Sequence, residues 1–304
     1  LHLAIECSAQ AGSVAILQQQ TVIVERLLPP NVGSVVSLAP TIAELLSQYG
    51  AGSLAKVELI SVTHGPGSFT GLRAGLATAK MLGLAWQIPL VAVDTLQVIA
   101  ARSAENVLKN YRETAEELGT EAEQPILVAV LNAFRKQVFA AAWRIPAGRT
   151  QVGPTANDGS ETPGLALMPL ATAQVLDARL WQAQPLSSLK ACPQVLSSHE
   201  SSGTSPSPTP PPLSPIPCAT SLQESSLASQ RIWIAGPGLR AYTPRVDCGV
   251  NLIDESQWDP VASWVGRLGW QNYLVGQAVS AAELSPNYVR GSAAEEARTA
   301  ASAT

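Results

Sequence analysis

Residues 61–86 read SVTHGPGSFTGLRAGLATAKMLGLAW, a proline between two glycines followed by a run with helical spacing. Glycine between a strand and a helix often marks a phosphate site, because backbone without a Cβ can approach an anion and the helix end offers free amides. The spacing excludes the two common versions. A P-loop places four residues between its glycines and then lysine, whereas Gly65 and Gly71 enclose five and Leu72 and Arg73 follow. A dinucleotide loop needs GxGxxG; Gly65, Gly67 and Thr70 lack the third glycine, and Pro66 removes an amide. What survives is a tight turn delivering a helix capped by Ser68 or Thr70.

Within that helix Gly71, Gly75, Ala79 and Gly83 stand four apart and form a stripe almost free of side chains. An interior helical glycine costs about 1 kcal/mol relative to alanine, so this stripe implies close approach of another backbone. Periodicity alone allows that backbone to belong to this chain or to a partner. Arg73 opposes the helix dipole and reads as either a specific contact or an ordinary solvated cation. Elsewhere the chemistry-bearing residues are scattered. Cys7, Cys192, Cys218 and Cys248 form no CxxC, and His2, His64 and His199 form no HxxxH, so neither a metal site nor a cofactor is expected. Asp94 and Thr95 follow a strand and are candidates for a cleft, but a turn and a helix cap explain them at least as well.

The elements that must position these residues begin with three Val-, Ile- and Leu-rich runs, LHLAIEC, GSVAILQ and TVIVERLL, which predict an antiparallel meander. Leu38, Ile42, Leu45, Leu46 and Tyr49 share one helical face, with Gly50 and Gly52 as a stop. VELISVTH, the glycine turn with its helix, and IPLVAVDT give strand, helix and strand in a parallel crossover, followed by a helix over 96–109. After a polar connector, 112–124, a second meander opens with PILVAVLNAF and KQVFAAAWRI. A helix is expected over 170–181. The segment 185–230 is rich in Ser and Pro and reads as a disordered insertion. Structure resumes at RIWIAGPG, and Asp259 and Pro260 are expected to start a helix carrying Trp264, Leu268 and Trp270 inward, before a flexible tail, 293–304. The expected division is thus a first lobe over 1–111, a second over 125–184 and 231–292, and a duplicated α/β architecture.

The totals fit this reading. The chain has 304 residues, 46% hydrophobic and 14% charged, enough for a sizeable core. Its net charge of −4 argues against strong binding of nucleic acid by this chain alone. No run has the length of a membrane span and the opening residues lack signal-peptide features, so a cytoplasmic location is expected.

At LAIECSAQAGSVAIL, GPGSFTGLRAGLATAKMLGLA and IPLVAVDTL the chain resembles the TsaB (YeaZ) family, the dimerisation subunit of the bacterial tRNA threonylcarbamoyladenosine machinery. AGPGLRAY and ELSPNYVR resemble it more weakly. The resemblance implies the actin-like ATPase (ASKHA) fold, with two related lobes each starting with an antiparallel meander. It also implies a subunit that is not itself the catalyst. Such a subunit pairs with a TsaD-type catalytic protein through the first two helices, is joined by a TsaE-type ATPase and meets tRNA only through the complex; the small-residue stripe is equally open to a homodimer when the partner is absent. The interface residues then expected are Leu38, Ile42, Leu45, Gly71, Leu72, Arg73, Gly75, Ala79 and Gly83. The catalytic relative's HxxxH has no counterpart here. Several polar positions also depart from the family pattern: Glu6, Cys7 and Ser8 stand for Asp, Thr and Ser, so that the resemblance offers Glu6 and Ser8 as the positions for a nucleotide or hydrated cation; Asn132, Ala133 and Phe134, with Arg135 next, for Asp, Ala and Arg; Ser34 and Val35 for His and Ser. The alternative function is an actin-like small-molecule kinase using ATP in the interlobe cleft, with Glu6 as its first-strand carboxylate. A metallopeptidase is disfavoured by the missing histidine pair.

Overall fold

The computed structural model describes residues 1–10, 12–29, 31–49, 57–118 (112–118 as backbone), 124–146, 167–183, 185, 189, 232–245 and 250–289. The expected insertion at 185–230 lies outside these residues except for Pro185 and Leu189, as do the tail at 293–304, the glycine stop at Gly50 and Gly52, and Cys192, Cys218, Cys248 and His199.

Two five-stranded sheets carry the fold. In the first, β1 (His2–Glu6), β2 (Ser13–Gln18) and β3 (Thr21–Leu27) form the meander, and β4 (Leu59–Gly65) and β5 (Leu90–Asp94) add parallel to β1, giving the order β3-β2-β1-β4-β5. In the second, β6 (Ile126–Phe134), β7 (Gln137–Arg144) and β8 (Met168–Asp177) are antiparallel, and β9 (Ile232–Ala235) and β10 (Val250–Leu252) add parallel to β6. Its order, β10-β9-β6-β7-β8, is the same pattern repeated. The repeat extends to a turn: Gly65-Pro66-Gly67 follows β4 and Gly236-Pro237-Gly238 follows β9, with φ of +129° at Gly65 and +130° at Gly236. Side chains rarely adopt that conformation, and a Cβ there would strike the Asn287 carbonyl in one lobe and the Val130 carbonyl in the other. Duplication therefore accounts for the architecture expected of the actin-like fold.

The helices are α1 (Ser34–Tyr49), α2 (Phe69–Trp86), α3 (Thr95–Leu118), α4 (Ala178–Ala183) and α5 (Ala262–Leu274). Alternation along β1 divides the first lobe into two cores. Leu3, Ile5 and Cys7 face α1 and α2, burying Leu38, Ile42, Leu45, Leu76 and Ala79. Ala4 faces the other way, with Val98 and Ala101 of α3 and Ala262, Val265 and Leu268 of α5. The helix α3 is shared: its Leu96, Ile99, Ala100, Ala104 and Val107 belong to the core of the second sheet. It is the apolar splice between the lobes.

Four expectations change. First, α3 continues to Leu118 through the supposed connector, because no Gly or Pro interrupts it before Gly119. Second, the helix expected over 170–181 is mostly strand. Met168–Asp177 pairs with β7, tertiary pairing overriding the helix propensity of Leu, Ala and Gln, and Pro169 is tolerated because β8 is an edge. The helix starts only at Ala178, where Asp177 Oδ1 accepts from Arg179 N at 2.8 Å. Third, Asp259 is not the cap of α5. That helix starts at Ala262 and is capped across the sequence: Ser13 Oγ accepts from Ala262 N, and Glu25 Oε1 from Ser263 N, each at 2.8 Å. Asp259 instead makes a two-pronged pair with Arg240 at 2.8 and 3.0 Å. Leu268 is buried as expected, while Trp264 and Trp270 are half-buried. Fourth, α5 lies on the first sheet, not the second. Gly266 rests on Leu17 and Gly269 on Ser61 and His2.

Candidate functional site

The glycine stripe of α2 meets this chain. Ser68 is the cap, its Oγ accepting from Gly71 N at 3.3 Å. A Cβ at Gly71 would collide with the backbone carbonyl of Cys7; one at Gly75 would sit 3.3 Å from Cys7 Cβ, and one at Gly83 2.7 Å from Leu90 Cδ2. The missing side chains thus let α2 lie directly on β1 and β5. Leu72 and Ala79 are buried with them, as are Leu38, Ile42 and Leu45 of α1. Of the interface residues expected from sequence, only Arg73 is exposed; the others are internal packing, because the apolar and small positions of both helices satisfy the sheet first.

The opposite face was not read from the sequence. α1 presents Val35, Val36, Ala39, Pro40 and Ala43 to solvent, and α2 presents Phe69, Ala77, Met81, Leu84 and Ala85. Val36, Met81 and Leu84 are 68, 70 and 69% exposed. The two helices lie side by side on one sheet face, so these residues share one surface. A helix covering a sheet normally turns charge outward. Here the only charged residues of α1 and α2 are Glu44, Arg73 and Lys80, and Glu44 is paired to Arg26 at 2.6 Å. That poverty of charge was the available signal. At one end of the face the Arg73 guanidinium lies 3.7 Å from the centre of the Phe69 ring and its Nε donates to Tyr288 Oη at 3.1 Å, while Phe69 and Tyr288 stack at 5.6 Å. The C-terminal segment is fastened there: Asn287 N donates to the His64 carbonyl at 2.7 Å, and Leu284 is buried in the core under α1 and α2.

The candidates for a nucleotide or cation sit at the end of β1. Glu6 is buried, and Ser8 satisfies its Oε1 through both backbone N, at 2.6 Å, and Oγ. Oε2 has no partner. Burial raises the Glu6 carboxyl from 4.5 to about 7, against the Ser8 hydrogen bonds that lower it; the charge of Asp259 adds a smaller upward push. Asp94 is likewise raised by burial, to about 6, and its Oδ1 accepts from Gln97 N at 2.9 Å, so it caps α3. No group of three or more His, Cys, Asp or Glu suited to a metal occurs among the described residues. Glu6 thus behaves as a buried, internally bonded acid. Folding binds its proton between pH 4.5 and about 7, so its contribution to stability is full below pH 4.5 and is lost as pH rises through 7. Glu6→Gln should therefore unfold like the parent in urea at pH 4.5 and be more stable at pH 8, by up to about 3 kcal/mol.

Comparisons with known proteins agree with this architecture. Residues 33–150 match the family model for TsaD, tRNA N6-adenosine threonylcarbamoyltransferase. The tRNA threonylcarbamoyladenosine biosynthesis protein TsaB of Escherichia coli is 34% identical over 98 residues, 32% of this chain and 42% of that protein. The TsaB of Bacillus subtilis is 36% identical over 101 residues, 33% of this chain and 43% of the relative. The chain thus matches only about two fifths of the length of these curated relatives. YeaZ from Pseudomonas aeruginosa superposes with a TM-score of 0.56 at 19% identity, covering 94% of this chain and 98% of that one, and so shares its fold. No described helix is long and apolar enough to cross a membrane. Part of the chain is thus similar in sequence to TsaB proteins, and nearly the whole chain shares the fold of YeaZ.

Proposed function

We propose that this protein is a non-catalytic subunit of an assembly that forms N6-threonylcarbamoyladenosine in tRNA, and that it docks a TsaD-type catalytic subunit through the outer faces of α1 and α2. The observation that carries this reading is the charge-poor apolar face centred on Val36, Met81 and Leu84, exposed on two helices that lie within the residues matching the TsaD family model, 33–150. Large contiguous apolar surface on a folded chain marks an interaction site. Two lobes of one ancestry, each offering the same pair of helices, can meet about a pseudo-two-fold axis, and a second copy of this chain would use the same face when the partner is absent. A TsaE-type ATPase joins the pair in this scheme. The catalytic role falls to the partner because the histidines of this chain include no pair one helical turn apart.

Native mass measurement of the chain alone and coexpressed with a TsaD-type protein tests the proposal. A one-to-one complex, with modified adenosine formed only when both chains are present, is the expected result. Modification by this chain without the partner, or no association at micromolar concentration, overturns it.

A further inference from the structure

The β6–β7 hairpin ends in Phe134, Arg135 and Lys136, three successive non-glycine residues with left-handed φ of +59°, +50° and +59°. Asn132 Oδ1 accepts from Phe134 N at 2.7 Å and helps hold the turn, which leaves the Phe134 ring 63% exposed. The tip is joined to α4, since Ala178 N donates to the Lys136 carbonyl at 2.9 Å. Arg179 follows at once. One turn on, Gln182 accepts from Arg245 N through its carbonyl at 3.1 Å, and its side-chain amide donates to the Thr243 carbonyl at 3.2 Å. Arg179, Gln182, Ala183, Thr243 and Arg245 line one open pocket.

Arg26 and Arg240 are held by carboxylates, and Arg102 by the carbonyls of Asp259 and Ser256. Arg179, Arg245 and Lys136 make no ion pair among the described residues, and both arginines are exposed. The neighbouring acid, Asp177, accepts from the backbone N–H groups of Arg179 and Leu180. Guanidinium groups around a concavity match phosphate oxygens, and the exposed Phe134 ring on the hairpin joined to α4 offers a stacking platform for an unpaired base.

We propose that Lys136, Arg179 and Arg245, with Phe134, form a contact site for the phosphate backbone of single-stranded RNA on the second lobe. That the RNA is tRNA rests on the function proposed above; the cationic pocket does not. A net charge of −4 describes the whole chain, whereas polyanion binding depends on where the positive charge is concentrated.

The test is fluorescence anisotropy of a labelled tRNA transcript with the full chain in complex with its TsaD-type partner, across a salt series, with complex formation followed separately by native mass. Arg179→Glu with Arg245→Glu should weaken tRNA binding at least tenfold and lower the slope of log K against log salt by about two, while the protein complex stays intact. Phe134→Ala should weaken binding with the slope unchanged, and Lys109→Glu, a charge reversal on α3 outside the patch, should have little effect. Calorimetry with inorganic phosphate separates RNA from a small anion. Binding curves for the double variant that overlay the parent, an equal loss in Lys109→Glu, or tight phosphate binding without tRNA binding would each overturn the inference. Loss of the protein complex in the parent would instead count against the proposed function alone.

Discussion

Exchanging Met81 and Leu84 for aspartate should abolish association with a TsaD-type subunit while leaving the fold intact. Both side chains are about 70% exposed, so the unbound protein loses almost no packing when they are replaced. In a complex they would be buried, and each aspartate would carry a charge into an apolar contact with no counter-ion in α1 or α2 beyond Arg73 and Lys80. The affinity should fall by about a hundredfold or more. Thermal unfolding of the variant alone should lie within a few degrees of the parent. Undiminished association in a titration would show that another face makes the contact.

Gly71→Leu should have the opposite profile. Its Cβ would overlap the carbonyl of Cys7, and the remaining leucine atoms have nowhere to go between α2 and β1, a strand whose Leu3, Ile5 and Cys7 anchor that core. Relief requires moving backbone, so the cost should exceed that of ordinary overpacking and reach about 3 kcal/mol or more. Against a typical total of about 5–15 kcal/mol this endangers the lobe itself. Urea unfolding should show the loss in the isolated chain, and association should fail with it. The contrast is diagnostic: damage on the inner face costs stability first, and damage on the outer face costs only the complex. A Gly71→Leu protein as stable as the parent would mean that α2 sits farther from β1 than its contacts indicate.

The fold was largely legible because its signals are local and repeated. The two meanders announce themselves through runs of Val and Ile, and the two Gly-Pro-Gly turns follow corresponding strands. Where the reading failed, the deciding partner was distant in sequence. Nothing local in Leu170–Asp177 shows that β7 lies ready to pair with it, and nothing local near Ala262 shows that Ser13 and Glu25 will cap its helix. The residues expected at an interface on α1 and α2 prove, apart from Arg73, to be buried against this chain's own sheet. A stripe such as Gly71, Gly75, Ala79 and Gly83 reports only that something approaches closely, and the strand beneath has first claim on it. The better clue was what the other face lacked, since Ala77, Met81 and Leu84 stand where a solvated helix would place charge.

The return of α5 to the first sheet sets an order on the birth of the molecule. Emerging from the ribosome, the first lobe has its five strands, α1 and α2 at hand, yet the face beside Ala4, Ala15 and Leu17 awaits Ala262, Val265 and Leu268, and the other face awaits Leu284. A lobe made before the second one is therefore among the last to be sealed. Throughout synthesis of the second lobe only Val98 and Ala101 of α3 cover that apolar sheet face, and the rest stays open to chaperones or to other nascent chains.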